Sequence, residues 1–282
     1  MKKLIALVMT LILAVSCFAA CAPKNDAPAT TAAADGTTAA ADDTTAAAAT
    51  DLSYIQNNGK LIVGITDYAP MDYKDDNGEW TGFDAEFAQL FAKELNVECE
   101  FFVIADWGKK FVELETKNID AVWNGMTITD EAKLNASVSN PYVVNAQVLV
   151  MKADKVASYK DAASIADLAV AVENGSAGQD AAEAAGVKNI IAVQDQAAAL
   201  LEVKAGTSDA CVIDITMANA MTGEGTDYAD LAAGISLTSE EYGVAFRKDS
   251  DLTAKFNDFM AKLIADGTLQ ALADKYELTL AK

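Results

Sequence analysis

The chain has 282 residues, with 42 acidic against 21 basic side chains, a formal charge of −21 and 52% hydrophobic residues. Such an acidic balance makes nucleic acid a very poor partner, since phosphate neutralisation needs Lys/Arg patches, while the apolar fraction is ample for a sizeable core. Histidine is absent, which excludes Ser-His-Asp and Cys-His nucleophile systems and His-ligated zinc in one stroke.

Met1-Lys2-Lys3 and an apolar run over 4–15 read as a secretory signal, too short for a comfortable bilayer span. Ala19-Ala20-Cys21 fits a bacterial lipoprotein cleavage site, with Cys21 as the lipidated first residue of the mature chain. Ala14-Val15-Ser16-Cys17 competes with it, and a plain cleaved signal is the bland alternative. Residues 1–20 are therefore read as a lipoprotein signal peptide. The lipidated cysteine and an Ala/Thr/Asp tether, expected to be disordered, fill 21–50. A diacylated cysteine supplies the two-chain anchoring that stable attachment needs, so the body is expected on the outer face of the plasma membrane.

The remaining body, about 230 residues, suits one large domain or two lobes. Strands are expected over 60–66, 98–104, 121–123, 146–151, 169–172, 189–193, 210–213 and 242–246. Asn77-Gly78 predicts a two-residue hairpin turn within 73–80. Phe83, Phe87, Leu90, Phe91 and Leu95 recur at helical spacing, so 84–95 is an amphipathic helix. Gly186 and Gly206 sit where helices end. Alternation of strands and helices implies α/β with mostly parallel sheets. Cys99 and Cys211 lack C-x-x-C spacing and read as free thiols rather than a disulfide. The acidic hairpin is no calcium loop, because an EF-hand register puts Tyr73 at the first ligand position.

The stretch over 120–133, DAVWNGMTITDEAK, is the most informative. A strand runs into a polar turn, Asn124-Gly125-Met126-Thr127, and Thr129 is a credible N-cap for the helix that follows. Such a turn aims backbone N–H groups and a Thr hydroxyl at one spot, which suits a small anion. Here the chain resembles family-3 periplasmic solute-binding proteins, the amino-acid receptors of ABC importers. Further landmarks follow in register: Tyr68-Ala69-Pro70, Gly82-Phe83-Asp84, Asp106-Trp107, Asn140-Pro141-Tyr142, Asn174-Gly175-Ser176, Asp209 to Asp214, and Tyr242 to Lys248. In the family an arginine in the turn clamps the ligand's α-carboxylate. Here that position is Ala132.

The resemblance implies a two-lobed, type II periplasmic-binding-protein fold, each lobe a mostly parallel sheet flanked by helices and joined by two hinge strands. Lobe one would take 52–142 and 243–282, lobe two 147–238, with hinge segments at 143–146 and 239–242. A small amine-bearing ligand would bind between the lobes, and the closed form would be read by an ABC permease. Neither cofactor nor metal is expected, and the chain is expected to act as a monomer. A sensing module for a membrane receptor and a dehydratase-like enzyme on the same fold are the alternatives.

Asp214 ends an apolar strand, where an ionised carboxylate is costly unless paired, and the resemblance makes it the ammonium acceptor. Tyr68 and Trp107 would line the pocket, with core packing as the rival reading. Gly125 and Thr127 map onto the carboxylate-binding turn, and Asn124 fits there too unless it only forms the turn. Ser176 and Ala177 open a helix across the cleft, although capping alone explains Ser176. Asp67 ends a strand near the cleft, as ligand contact or turn former. The lone arginine, Arg247, is expected to support the hinge region, so three explanations compete for the missing clamp: backbone N–H groups with Thr127, a swing of Lys133, or a ligand without a carboxylate.

Overall fold

The computed structural model describes residues 50–282, so the readings at Cys17, Cys21 and the signal and most of the tether lie outside the described residues. Two five-stranded sheets carry the fold. The first runs in the order Glu98–Val103, Lys60–Ile65, Ala121–Val122, Ala245–Phe246, Ser137–Val138. The second runs Asn189–Val193, Ala169–Glu173, Ala210–Asp214, Gln147–Lys152, Leu231–Ser236.

Each sheet is mostly parallel, as the alternation of elements implies, with a single strand reversed. In each, the first three strands are parallel and the fourth is antiparallel to both its neighbours. The reason is connectivity. Parallel neighbours arise from helical crossovers such as Phe83–Glu94, Ala177–Ala184 and Gln196–Ala205. The fourth strand in each sheet, Gln147–Lys152 or Ala245–Phe246, has instead just arrived from the other sheet and enters from the opposite end. The two passages, Val143–Asn145 and Glu240–Tyr242, pair with each other antiparallel, Asn145 opposite Glu240.

Under the first sheet, Phe83, Phe87 and Phe91 project from one helix face at i, i+4 spacing and are fully buried. Trp123 lies 4.9 Å from Phe256 and 5.0 Å from Phe87, both edge to face. Leu149, Met151, Val170, Val172 and Val212 fill one side of the second sheet. Both cores grow from strands whose apolar side chains face inward, which holds each sheet's open ends in fixed register.

The Asn77-Gly78 turn is longer than predicted. Strands Tyr73–Lys74 and Trp80–Thr81 flank a wider loop in which the Asp75 carboxylate accepts the N–H groups of Asn77 at 2.8 Å and Glu79 at 3.0 Å. That side-chain cap outcompetes the tight hairpin. Cys99 and Cys211 are free and sit in different sheets.

Arg247 is structural. Its guanidinium donates to Asp51 at 2.9 Å, to the Ile119 carbonyl at 2.8 Å and to Asp120 at 2.9 Å, tying the first helix to the start of a central strand. Asp120 is only 3% exposed, so removing its partner strands a buried charge. Arg247→Met should lose about 3–5 kcal/mol in urea unfolding while ligand affinity stays within a few-fold.

Candidate functional site

The turn after Ala121–Val122 is braced from behind. Asn124 Oδ1 accepts the Thr66 N–H at 2.9 Å, and its amide donates to the Thr66 hydroxyl at 2.7 Å. Gly125 adopts φ +56°, and a Cβ there would stand 2.5 Å from the Tyr68 ring, so glycine is required twice over. Its N–H donates to Asp84 Oδ2 at 2.6 Å, which also accepts the Tyr142 hydroxyl at 2.7 Å. Burial pushes the Asp84 carboxyl up to about 7 despite those donors. Across the cleft, Ser176 caps the helix Ala177–Ala184 by accepting the Gln179 N–H at 3.2 Å.

Asp214 ends its strand fully enclosed. Its side chain makes no cap to the helix that follows. Instead Oδ1 accepts from the amides of Asn145 and, at 2.8 Å, Gln147, and Oδ2 accepts from Gln196. Glu240, on the returning passage, accepts from Asn145 and Gln147 at 2.7 Å and from Thr127 at 2.8 Å. Two carboxylates thus share amide donors without a cation beside them. Burial first, then the Glu240 charge, pushes Asp214 up to about 7; hydrogen bonds from Tyr242, Gln196 and Gln147 oppose the shift.

The wall between these poles is rich in charge. Lys110, Glu131, Glu173 and Asp180 line the same cavity as Asp214 and the Gly125 turn. Glu173 is buried and its Oε1 has no partner; desolvation and then the Asp214 and Asp195 charges hold it well above the usual carboxylate range. The cavity encloses about 30 Å³, room for roughly two waters. An amino acid needs the lobes to part. The closed rim is held by the Asn174 amide donating to Asp106 at 2.9 Å and by Gly108 against Gly175, where an added Cβ would come within 2.5 Å of the Gly108 Cα.

The structure brings Trp107, Asn124, Gly125, Thr127, Ser176, Ala177 and Asp214 to this cavity. Three expected residues are not on its wall. Asp67 is exposed and faces the Asp195 charge, because its strand has already ended. Tyr68 lies behind the turn, its hydroxyl 2.6 Å from the Thr216 hydroxyl and also bonded to Tyr242. Lys133 is exposed, since the short helix Asp130–Asn135 turns Ala132 inward and its neighbour outward. The sequence reading named none of the charged and amide wall residues Lys110, Glu131, Glu173, Asp180 and Gln196, nor Glu240 behind them. Glu173 ends the apolar run AVAVE as Asp214 ends ACVID, so the same argument would have found it.

Residues 61–279 match the family described as bacterial extracellular solute-binding proteins, family 3. The chain belongs to that family. It is 31% identical over 229 residues to the L-cystine-binding protein TcyJ of Escherichia coli (strain K12), covering 80% of this chain and 85% of that one. The arginine-binding extracellular protein ArtP of Bacillus subtilis (strain 168) is 30% identical over 224 residues, 77% of this chain and 86% of ArtP. Among solved structures, the P235GK mutant of ArgBP from T. maritima superposes with a TM-score of 0.75 at 31% identity, covering 80% of this chain and 98% of that one. The ancestral amino acid-binding protein AncCDT-1, described as a precursor of cyclohexadienyl dehydratase, gives 0.73 at 34% identity over 80% and 98%. The fold of this family-3 protein is accordingly the type II periplasmic-binding-protein fold.

Protonation of the buried carboxylates has a definite sign. Asp214 and Asp84 sit near 7 in the folded chain against 3.8 ordinarily, and Asp72 and Glu173 are raised too. Such groups hold more protons folded than unfolded, so their stabilisation is full below 3.8 and lost as pH rises through about 7. The ligand-free protein should melt higher at pH 5.5 than at pH 8, with each group contributing up to about 1.4 kcal/mol per pH unit. Asp214→Asn should flatten that slope in a thermal melt series.

Proposed function

We propose that this chain is the substrate-binding component of an ABC importer, capturing an amino acid or related amine between two lobes and delivering it to the permease. The lobes are taken as 52–142 with 243–282, and 147–238. The chain works as a lipid-anchored monomer outside the cytoplasm and is not an enzyme. Cys21 carries the lipid.

The observation that carries this reading is Asp214. Its carboxylate lines the cavity, held by the amides of Asn145, Gln147 and Gln196, and among the described residues it forms no ion pair. A ligand ammonium supplies the cation and relieves the repulsion from Glu240 at the same time. The cavity wall holds Glu131, Glu173, Asp180 and Asp214 against Lys110 alone, which favours ligands of neutral or positive charge. ArtP, named for arginine, and TcyJ, named for L-cystine, support the amino-acid class. The carboxylates are capped by amides and face no histidine, which favours holding a charge over transferring a proton.

A thermal-shift panel of L-amino acids and amines tests this. A ligand at about 100 times its Kd adds roughly 2.7 kcal/mol of stability. L-Arginine or another neutral or cationic amino acid should raise the melting temperature, and Asp214→Ala should remove the response. Stabilisation by glutamate or aspartate alone would sink the charge preference, and a silent panel would remove the amino-acid reading.

A further inference from the structure

We propose that Lys110 is the cation that holds the ligand's carboxylate, replacing the arginine that the family's turn carries and Ala132 does not supply. The proposal rests on the amino-acid reading above and adds the residue that makes the cleft read a carboxylate.

Lys110 opens the helix Lys110–Glu115 three residues after Trp107, and its side chain returns over the Trp107 ring at 5.1 Å. Nζ donates to the Gly175 carbonyl at 3.0 Å and the Trp107 carbonyl at 3.4 Å. An ammonium has three donors, so one remains. The residue is 7% exposed, yet among the described residues it forms no ion pair. A charge in that position costs several kcal/mol unless something completes its shell. Desolvation accordingly pulls its proton affinity down, although Glu131, Glu173, Asp180 and Asp106 pull the other way.

What surrounds Lys110 is suited to an anion. Ala132 and Thr127 line the same cavity from the first lobe, Ser176 and Ala177 from the second. The N–H groups of Thr127, Ala177 and Gly178 make no hydrogen bond within the described residues, and the last two belong to a helix N-terminus. An ammonium and two lining residues with free N–H groups, Thr127 and Ala177, therefore share a cavity with the amide-capped Asp214. Those are the two poles an α-amino acid zwitterion needs. Lys133, the neighbour of Ala132 in sequence, is exposed and off the wall. Because Nζ bonds Gly175 of the second lobe, a lysine at 110 also couples carboxylate binding to closure.

A purely structural latch is the competing role, and paired ligands separate the two. Titration calorimetry would compare L-arginine with agmatine, L-lysine with cadaverine and L-histidine with histamine, each pair differing by the carboxylate. For the wild type, the amino acid of a binding pair should be held more tightly than its amine. Lys110→Gln keeps a donor for the Gly175 carbonyl and loses the charge. It should weaken the amino acid by about 10- to 100-fold, the worth of one charge-assisted hydrogen bond, and leave the amine within about twofold. Lys110→Arg should retain the preference, and Lys133→Gln should change neither ligand. Equal weakening of both members, or a wild type that holds the amine as tightly as the amino acid, overturns the assignment while leaving the binding reading intact. If the wild type binds none of the three amino acids, the assignment falls together with that reading. Should Lys110→Gln fold poorly, Lys110→Met and Lys110→Arg carry the same comparison.

Discussion

The cleft depends on a carboxylate pair, Asp214 buried and Glu240 half-buried, held by neutral amides with no ion pair among the described residues. Asp214 and Glu240 are drawn together by Asn145 and Gln147, and Glu240 also takes the Thr127 hydroxyl. Each member comes from a different part of the architecture: a strand end of the second sheet, the two passages between sheets, and the binding turn of the first. A change of charge at this point therefore bears on hinge, turn and second lobe together. Low dielectric magnifies the effect in both directions, since the same burial that strengthens the amide bonds makes a second negative charge expensive.

This arrangement links binding to closure by simple electrostatics. The parted cleft would let water screen the pair, whereas the closed cavity of about 30 Å³ withdraws that screening. In the proposed reading, an arriving ammonium replaces the lost solvation and removes the penalty for closing. Closing also brings Lys110 of the first lobe onto the Gly175 carbonyl of the second, beside the free N–H groups of the facing helix. A single zwitterion would thus bridge both poles and both lobes, and differential affinity for the closed form is what drives such a transition.

Much of this was legible in the sequence, for identifiable reasons. Periodicity located the helix of Phe83, Phe87 and Phe91, and β-branched runs located the central strands, because both features report directly on burial. The Gly125 turn was legible because its glycine is forced by φ and by the Tyr68 ring. The one reversed strand of each sheet was not, since antiparallel entry from the hinge leaves no local signature. Lys110 and Glu240 escaped notice for a related reason: a lysine at a helix start and a glutamate between Ser239 and Glu241 look solvated until tertiary contacts bury or recruit them. Lys133 lies one layer off the cavity wall. Sequence adjacency to the turn says nothing about which side of a short helix faces inward.

The central claim is that Asp214 receives the ligand's ammonium, and proton release on binding tests it most directly. Calorimetric titration with the amino acid that binds, repeated at pH 7 in buffers of differing ionisation enthalpy, gives the number of protons exchanged. Burial raises the Asp214 carboxyl and an ammonium beside it favours its ionised form, so the account predicts net proton release from this group, lost in Asp214→Asn. Binding without proton release, or release unchanged in that variant, would contradict it.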